Sequence, residues 1–518
     1  MAAPSRDLIG FDDYIRHWAE HTPERIALED SETAIGFAEL DRRTRKAIVL
    51  FRELGVEKGD RIAWLGKNAT LYFELFYAAA RCGAVMVPIG WRLAIPEVAF
   101  ILRDTDAKLL LAGPGFDDAA RAACTEIANP PAILSAREAE ARLEAQEPRD
   151  FTPAAPDDAV LQLYTSGTTG NPKGAVLSNR NLFALRKPGE EAGVPWAEWD
   201  DDEALLIAMP CAHIGGTGLG VMAMGAGARA IVQAEFTPDG VLDAFEQGAT
   251  RMFIVPAALQ MVVHHPRAKT TDFSAVKYVF YGAAPIPLDL LREAVATIPN
   301  ADFVQVYGMT ETTGTVAALP GEDHDTAGNQ RMRSAGKPLP GTQARIVGED
   351  GTELPRGEVG ELVFRSPSNM LGYWNLPDAT AEALRDGWMH TGDAAYMDED
   401  GYIYIQDRMK DMIISGGENV YPAQVESAIY GHPAVAEVAV IGVPDDTWGE
   451  AVKACIVPRA GATVDESDVI AWTRERLAGF KVPRSVDVIA EMPRNPSGKI
   501  LRRELRAPYW AGRDRLVN

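Results

Sequence analysis

The stretch YTSGTTGNPKG (Tyr164–Gly174) sets four Ser/Thr hydroxyls, three glycines and one lysine within eleven residues. Backbone N–H groups bared by glycine, together with Ser and Thr hydroxyls, are the donors that phosphate oxygens take, and a lysine adds a cation. The G-x-x-x-x-G-K-[ST] spacing of a Walker A loop is absent, so the segment points to a nucleotide polyphosphate handled outside the P-loop fold.

Outward from this loop the chain alternates. Residues 11–21 read as a helix, IALED (26–30) as a strand and Phe37 to Leu54 as an amphipathic helix. RIAWLG (61–66), a helical stretch from Leu71 to Cys82 and AVMVPI (84–89) continue the pattern. It returns downstream at ALLIAMP (204–210), ARAIVQ (228–233), RMFIVP (251–256) and VKYVFYG (276–282). Strands separated by helix-length segments predict parallel or mixed sheets flanked by helices. From about Gly336 short strands with Gly, Pro and Asp turns (GTQARIV, GEVGELVFRS, GYIYIQDR) suggest a small β subdomain. After Arg408 a compact α+β texture begins, with QVESAIY, VAEVAVIGV and KACIVPR. The expected fold is therefore α/β and multidomain. A large N-terminal domain of αβ-layered subdomains plus a small β subdomain (1–409) precedes a small, mobile α+β C-terminal domain (410–518). PAAPDDAV (153–160) is the most linker-like piece.

Bulk properties narrow the class. A chain of 518 residues exceeds what one hydrophobic core supports. Net charge is 51 − 74 = −23, against broad nucleic-acid contact or anchoring on anionic lipid, which need a basic face. Cys82, Cys124, Cys211 and Cys455 are scattered, without CxxC or metal spacing, so cytosolic thiols are expected rather than disulfides or zinc. The N-terminus lacks a basic region followed by an apolar run, and no stretch of about eighteen apolar residues occurs. A cytoplasmic protein without a membrane span is expected.

The Tyr164–Gly174 loop resembles the phosphate-binding signature of the adenylate-forming (ANL) superfamily, which holds acyl-CoA synthetases, peptide-synthetase adenylation domains and luciferases. Further motifs follow in the family's order: YGMTET (307–312), HTGD (390–393), RMKDMIISGGENVYPAQVE (408–426) and PRNPSGKILRREL (493–505). The resemblance implies an acid–CoA ligase that uses ATP, Mg2+ and CoA and acts through acyl-AMP. By this likeness Thr165, Ser166, Gly167, Thr168, Thr169, Gly170 and Lys173 take the β- and γ-phosphates. Thr310 donates to the α-phosphate, and Glu311 holds Mg2+, a hard ion that favours carboxylate and phosphate oxygen. Gly282, Ala283, Ala284 and Pro285 form a small-residue wall for the purine or acyl group. Tyr307, followed by Gly308 and Met309, offers an aromatic face to adenine or serves packing alone. Asp393 accepts the ribose hydroxyls, with Ile405 and Arg408 at the domain boundary. Lys499 brings a cation to the carboxylate and α-phosphate during adenylation. Lys410 matches the hinge position. Ser415, Gly416, Gly417 and Glu418, with Trp448, match the CoA path, while a plain turn also accounts for the two glycines.

PCAHIGGTGLG (210–220) carries the acyl-pocket reading through His213, Ile214, Gly215, Gly216 and Thr217, joined by Gly282, Met309 and Gly314. His213 matches a position that is aromatic or histidine in acyl- and aryl-CoA synthetases, where it acts catalytically as a gate or serves structure. Amino-acid-activating relatives carry an aspartate in this region, and none stands between Met209 and Gly220. The glycines leave room for a bulky acyl group, and Met209, Met222, Met224 and Met309 would line it or belong to the core. GAGARA (225–230) fits a dinucleotide pattern, yet the residues before it read as helix rather than strand. The partners implied are a small-molecule carboxylic acid, ATP and CoA, with a carrier-protein thiol as alternative acceptor and an inactive nucleotide sensor as the third reading. The acid stays open among fatty, aryl and ring-containing catabolic acids. The oligomeric state stays open too, with a homodimer compatible.

Overall fold

The computed structural model describes residues 8–165, 172–284, 286–325, 327–494 and 500–511. Its elements follow the alternation: helix Phe11–His21, strand Ile26–Glu29, helix Phe37–Glu53, strand Arg61–Leu65, helix Thr70–Cys82 and strand Val85–Ile89. The chain folds as two units, Met1–Ala344 with Phe364–Met389 and Arg345–Val363 with His390–Asn518.

Two sheets build the first unit. Among the described residues, one has seven strands in the order 372–373, 173–178, 159–165, 85–89, 61–65, 109–112, 132–135. Its last five run parallel, and Lys173–Ser178 turns back antiparallel on Ala159–Thr165. The other has nine strands around a parallel set, in the order 302–309, 278–282, 251–254, 204–207, 229–232, 26–29. One apolar cluster joins Trp64, Leu161 and Leu177 of the first sheet to Leu205, Ile207 and Val232 of the second.

That cluster runs through the helices Thr70–Cys82 and Ile214–Ala226. Both are apolar around most of their circumference, as a helix between two sheets must be. They meet closely: Tyr77 Oη donates to Gly220 O at 2.9 Å. A Cβ on Gly220 would stand 2.3 Å from the Phe73 ring, so only glycine fits there. The helix ends at Gly227, φ +67°. GAGARA thus closes a helix instead of opening one, and the strand–turn–helix order of a dinucleotide fold does not occur. The loop 153–158 lies inside the first unit, pinned by Ala154 N–H to Arg81 O at 2.8 Å and Arg180 N–H to Pro156 O at 2.7 Å.

The β texture after Gly336 resolves into the strands Gln343–Val347, Gly360–Arg365, Trp388–Met397 and Ile403–Arg408. The second unit also holds a sheet ordered 418–420, 413–415, 449–458, 435–445, with Ser485–Val488 parallel to Gly449–Pro458. Val425 and Ile429 of the helix Pro422–Tyr430 and Val469 of Glu466–Arg474 fill its core against Ile413, Val440 and Val452. Among the described residues no helix is long and apolar enough to cross a membrane, and the four cysteines are free.

Candidate active site

Strands Tyr278–Gly282 and Asp302–Met309 are parallel neighbours, with Gly282 opposite Val306. Their carboxyl ends therefore release Ala283–Ala284 and Thr310–Glu311 at one sheet edge, where open α/β sheets bind ligands. Side chains are excluded on the way out: a Cβ would stand 2.2 Å from Val306 O at Gly282 and 1.8 Å from Gly314 O at Gly308. Ala283 is exposed with φ +64°, a left-handed conformation that costs a non-glycine residue about 1–2 kcal/mol. Such strain concentrates at binding sites.

The turn Thr310–Thr312 is fixed by its own side chains. Met309 N–H donates to Thr312 Oγ1 at 3.0 Å, the Thr312 hydroxyl to Gly314 O at 2.8 Å, and the Thr313 hydroxyl to Ser368 O at 2.5 Å. This turn drives Glu311 inward, to 6% exposure. Its carboxylate accepts the Tyr373 O–H at 2.7 Å, and its carbonyl accepts Met370 N–H at 2.8 Å. Among the described residues no cation pairs with it. Tyr373 was not singled out by the sequence reading: it lies 62 residues from Glu311, with no local pattern to mark it.

Thr165 and Lys173 stand opposite each other as the last pair before the loop of their hairpin. Ser166, Gly167, Thr168, Thr169 and Gly170 lie outside the described residues, as do Pro285 and Lys499. The hairpin's base is held from three sides. Tyr164 donates its hydroxyl to the Asp104 carboxylate, while Trp374 donates from Nε1 to Asp104 O at 2.9 Å and from its backbone to Gly174 O at 2.8 Å. The Arg61 guanidinium lies 3.4 Å from the Trp374 ring centroid. The Lys173 ammonium lies 5.1 Å from the Tyr373 ring centroid.

His213 caps the helix Ile214–Ala226 and is half-buried. Burial first, then the charge of Arg92, holds its imidazole below the ordinary histidine value. Beyond it the segment divides. A Cβ on Gly215 would meet Phe253 at 2.9 Å, and one on Gly314 would meet Ile214 at 3.4 Å. Gly216 and Thr217 belong to the core: a Cβ on Gly216 would be 2.2 Å from Pro210 O. Thr217 donates to Cys211 O at 2.5 Å and shares a hydrogen bond with Tyr72 Oη at 2.7 Å. The glycines at 216, 220 and 225 are thus filled by neighbouring protein atoms rather than by open space. Met209 and Met224 are buried in the core and Met222 is 39% exposed, while Met309 is half-buried at the strand end. Tyr307 is half-buried, its ring 5.9 Å from that of Phe364.

In the second unit Asp393 pairs across two strands with Arg408, Nε to Oδ1 at 2.8 Å, and Arg408 also donates to Thr391 O at 2.9 Å. Ile405, half-buried, sits opposite Ala395 on the same strand pair. Lys410 stands in the single turn Met409–Asp411. Beside it Arg502 grips Glu426 at 2.7 Å and approaches Asp411 at 3.8 Å and Asp407 at 4.0 Å. Burial pushes the Asp407 carboxyl up to about 6. Ser415 and Glu418 pair around the two-residue loop Gly416–Gly417, with φ +62° and +84°. Two positive φ values in succession define a type I′ hairpin, which requires residues of glycine's freedom. Trp448, 42% exposed, lies against this turn: Gly416 donates to Trp448 O at 2.8 Å, and a Cβ there would be 2.5 Å from the indole.

A parallel sheet edge that joins a phosphate-type hairpin to a buried carboxylate suits an enzyme handling a nucleotide polyphosphate. Comparison with known proteins gives the family. The AMP-binding enzyme model matches residues 15–374, and the AMP-binding enzyme C-terminal domain matches 424–499. The chain belongs to the AMP-binding enzyme family, within the adenylate-forming superfamily its motifs resemble. It is 41% identical to a feruloyl-CoA synthase of Amycolatopsis sp, over 95% of this chain and 97% of that one. It is 40% identical to the fatty acid–acyl-carrier-protein ligase ScoC of Streptomyces coeruleorubidus, over 96% of each. The structure of ATP-bound MatB from Rhodopseudomonas palustris is similar with TM-score 0.87 and 31% identity, over 97% of this chain and 99% of that one.

Proposed function

We propose that this chain is an ATP-dependent carboxylic acid–CoA ligase, an AMP-forming acid–thiol ligase that works through acyl-AMP. The observation that carries the reading is the buried Glu311, whose carboxylate, among the described residues, meets a neutral phenol and no cation at a sheet edge beside the base of the phosphate-type hairpin. A carboxylate taken out of water without a counter-ion is costly, so this site is built for a cation that arrives with the substrate. Among the described residues no group of three or more His, Cys, Asp or Glu could hold a metal ion alone. One protein carboxylate completed by phosphate oxygens and water suits Mg2+. Bound there, Mg2+ would neutralise charge on the phosphates.

The chain's own residues do the rest. A free carboxylate acylates poorly, and joining it to AMP supplies a good leaving group. The acid must meet the α-phosphorus in line as pyrophosphate departs, so the protein's task is positioning and charge stabilisation. Thr165, the hydroxyls and N–H groups of residues 166–170, and Lys173 hold the β- and γ-phosphates. Thr310 donates to the α-phosphate. Tyr307 and the Gly282–Pro285 wall receive adenine, and Asp393, oriented by Arg408, accepts the ribose hydroxyls. Lys499 stabilises charge on the reacting carboxylate and phosphate. His213, held neutral by burial, stands with Ile214, Gly215, Met309 and Gly314 at the acid. Ser415 to Glu418 and Trp448 line the approach of the thiol.

The domain limits proposed are 1–409 and 410–518, pivoting at Lys410 between adenylation and thioester formation. In support, the family matches at 15–374 and 424–499 fall on either side of residue 410. Fatty and aryl acids are the substrate class, as the relatives' names favour, and a cytoplasmic site of action agrees with the free cysteines. The likeness to ScoC favours one second reading, delivery of the acyl group to a carrier-protein thiol.

A pyrophosphate-release screen over carboxylic acids, run with CoA or with carrier protein, tests both. Acid-dependent release with acyl-CoA formed is expected; release with no acid would overturn the ligase reading. Lys499→Ala should slow acyl-AMP formation by about three powers of ten, the loss expected for a group stabilising transition-state charge. Conversion of preformed acyl-AMP should continue, and equal loss in both half-reactions would refute that role.

A further inference from the structure

Tyr373 stands where three parts of the proposed phosphate site converge. Its hydroxyl donates to Glu311 Oε1 at 2.7 Å. Its ring centroid is 5.1 Å from the Lys173 ammonium, within the range of a cation over an aromatic face. Its backbone belongs to the short strand Gly372–Tyr373, paired antiparallel with the strand that begins at Lys173: Tyr373 lies opposite Ala175 and Gly372 opposite Val176. The next residue, Trp374, donates to Gly174 O and Asp104 O, each at hydrogen-bond distance (2.8 and 2.9 Å). Thr380 Oγ1 accepts the Tyr373 N–H at 2.9 Å, which fixes the residue from the other side. One side chain therefore spans the interval between the lysine of the hairpin and the carboxylate of the turn.

We infer that Tyr373 is a positioning residue that sets Glu311 and Lys173 at a fixed separation for metal-bound triphosphate; the inference rests on the ligase reading. Among the described residues the buried carboxylate meets this one neutral donor and no cation, so it is left for an incoming cation with its rotamer already chosen. An arginine or lysine in place of the phenol would orient the carboxylate equally well and cancel the charge it presents. The ring does the complementary service for Lys173. It offers a face that steadies the ammonium without an anion, so the cation also stays available to phosphate.

The test is calorimetric, on the intact chain, with MgATP and with ATP in EDTA, and needs no acid and no CoA. Tyr373→Phe keeps the ring and loses the hydroxyl. It should lower MgATP affinity roughly tenfold, the scale of a hydrogen bond to a charged group, and leave metal-free ATP affinity unchanged. Tyr373→Leu should lower metal-free affinity as well, by about threefold, because Lys173 loses its ring. In a Glu311→Gln background the Tyr373→Phe effect should vanish. A merely structural role would instead give additive losses in both titrations, and that result overturns the inference. So does an unchanged ratio of MgATP to ATP affinity in Tyr373→Phe. Because the isotherms contain no acid, failure of every acid to release pyrophosphate would sink the ligase reading while these ratios still decide Tyr373.

Discussion

Glu311 and Asp393 are both carboxylates at 6% exposure, each inside a family motif, and they are buried in opposite ways. Glu311 accepts a phenol and has no cation beside it among the described residues, whereas Asp393 is paired with Arg408 at 2.8 Å. The first is left without a cationic partner, which a metal ion would supply. The second is already neutralised, and what remains to it is hydrogen-bond acceptance, which suits sugar hydroxyls. A third case is Asp407, which takes N–H bonds from Arg408 and Ala423, both at 2.7 Å, with Arg502 4.0 Å away and Glu426 nearby. The partner, more than the burial, tells which ligand each carboxylate awaits.

The sharpest way to break this comparison is Glu311→Gln, which keeps shape and removes charge. Acid-dependent pyrophosphate release at saturating MgATP should fall by about two powers of ten. Thermal stability should hold, because no ion pair is lost. A parental rate would remove the distinction between the two carboxylates.

Asp407 tests the third case through pH. Burial raises its carboxyl from 3.8 to about 6, so the folded state holds the proton more tightly than the unfolded chain. Its contribution to stability is present below about pH 4 and lost as pH rises through about 6, roughly 3 kcal/mol in all. Asp407→Asn should flatten urea unfolding over that window, and an unchanged pH slope would contradict the assignment.

A smaller change is expected for Asp393→Asn. It should raise the ATP KM about tenfold with little change in kcat, since a charged hydrogen-bond acceptor to a bound group is lost. Competition by adenosine against 2′-deoxyadenosine would check that the loss lies at ribose. Least of all, Gly417→Ala should cost about 1 kcal/mol in urea unfolding, because only the left-handed φ resists the methyl. Gly416→Ala should cost more, as the indole of Trp448 already fills that space.

Much of this was legible in the chain. The alternation of helices and strands survives almost residue for residue, because a strand buried on both faces must be a continuous apolar run. The reading of GTGLGVMAM (216–224) as helix also stands, within the helix Ile214–Ala226. The glycines of that helix could not be interpreted locally. Whether Gly216 and Gly220 leave a cavity depends on Pro210 O and Phe73, and these fill it. Thr217 looked like a pocket residue because it adjoins His213, yet a helix turns it toward Tyr72 and Cys211.

By itself the sequence determined the family, the order of the motifs and the chemistry of their side chains, since phosphate donors, an acceptor carboxylate and glycine turns are properties of residue type and spacing. Only the tertiary structure decided which partner each of those groups meets. Tyr373 reaches Glu311 because a two-residue strand docks beside the hairpin, and Asp393 meets Arg408 because two strands share a register. Pairing across a sheet is fixed by backbone hydrogen bonds between distant segments, and no local pattern of residues records it.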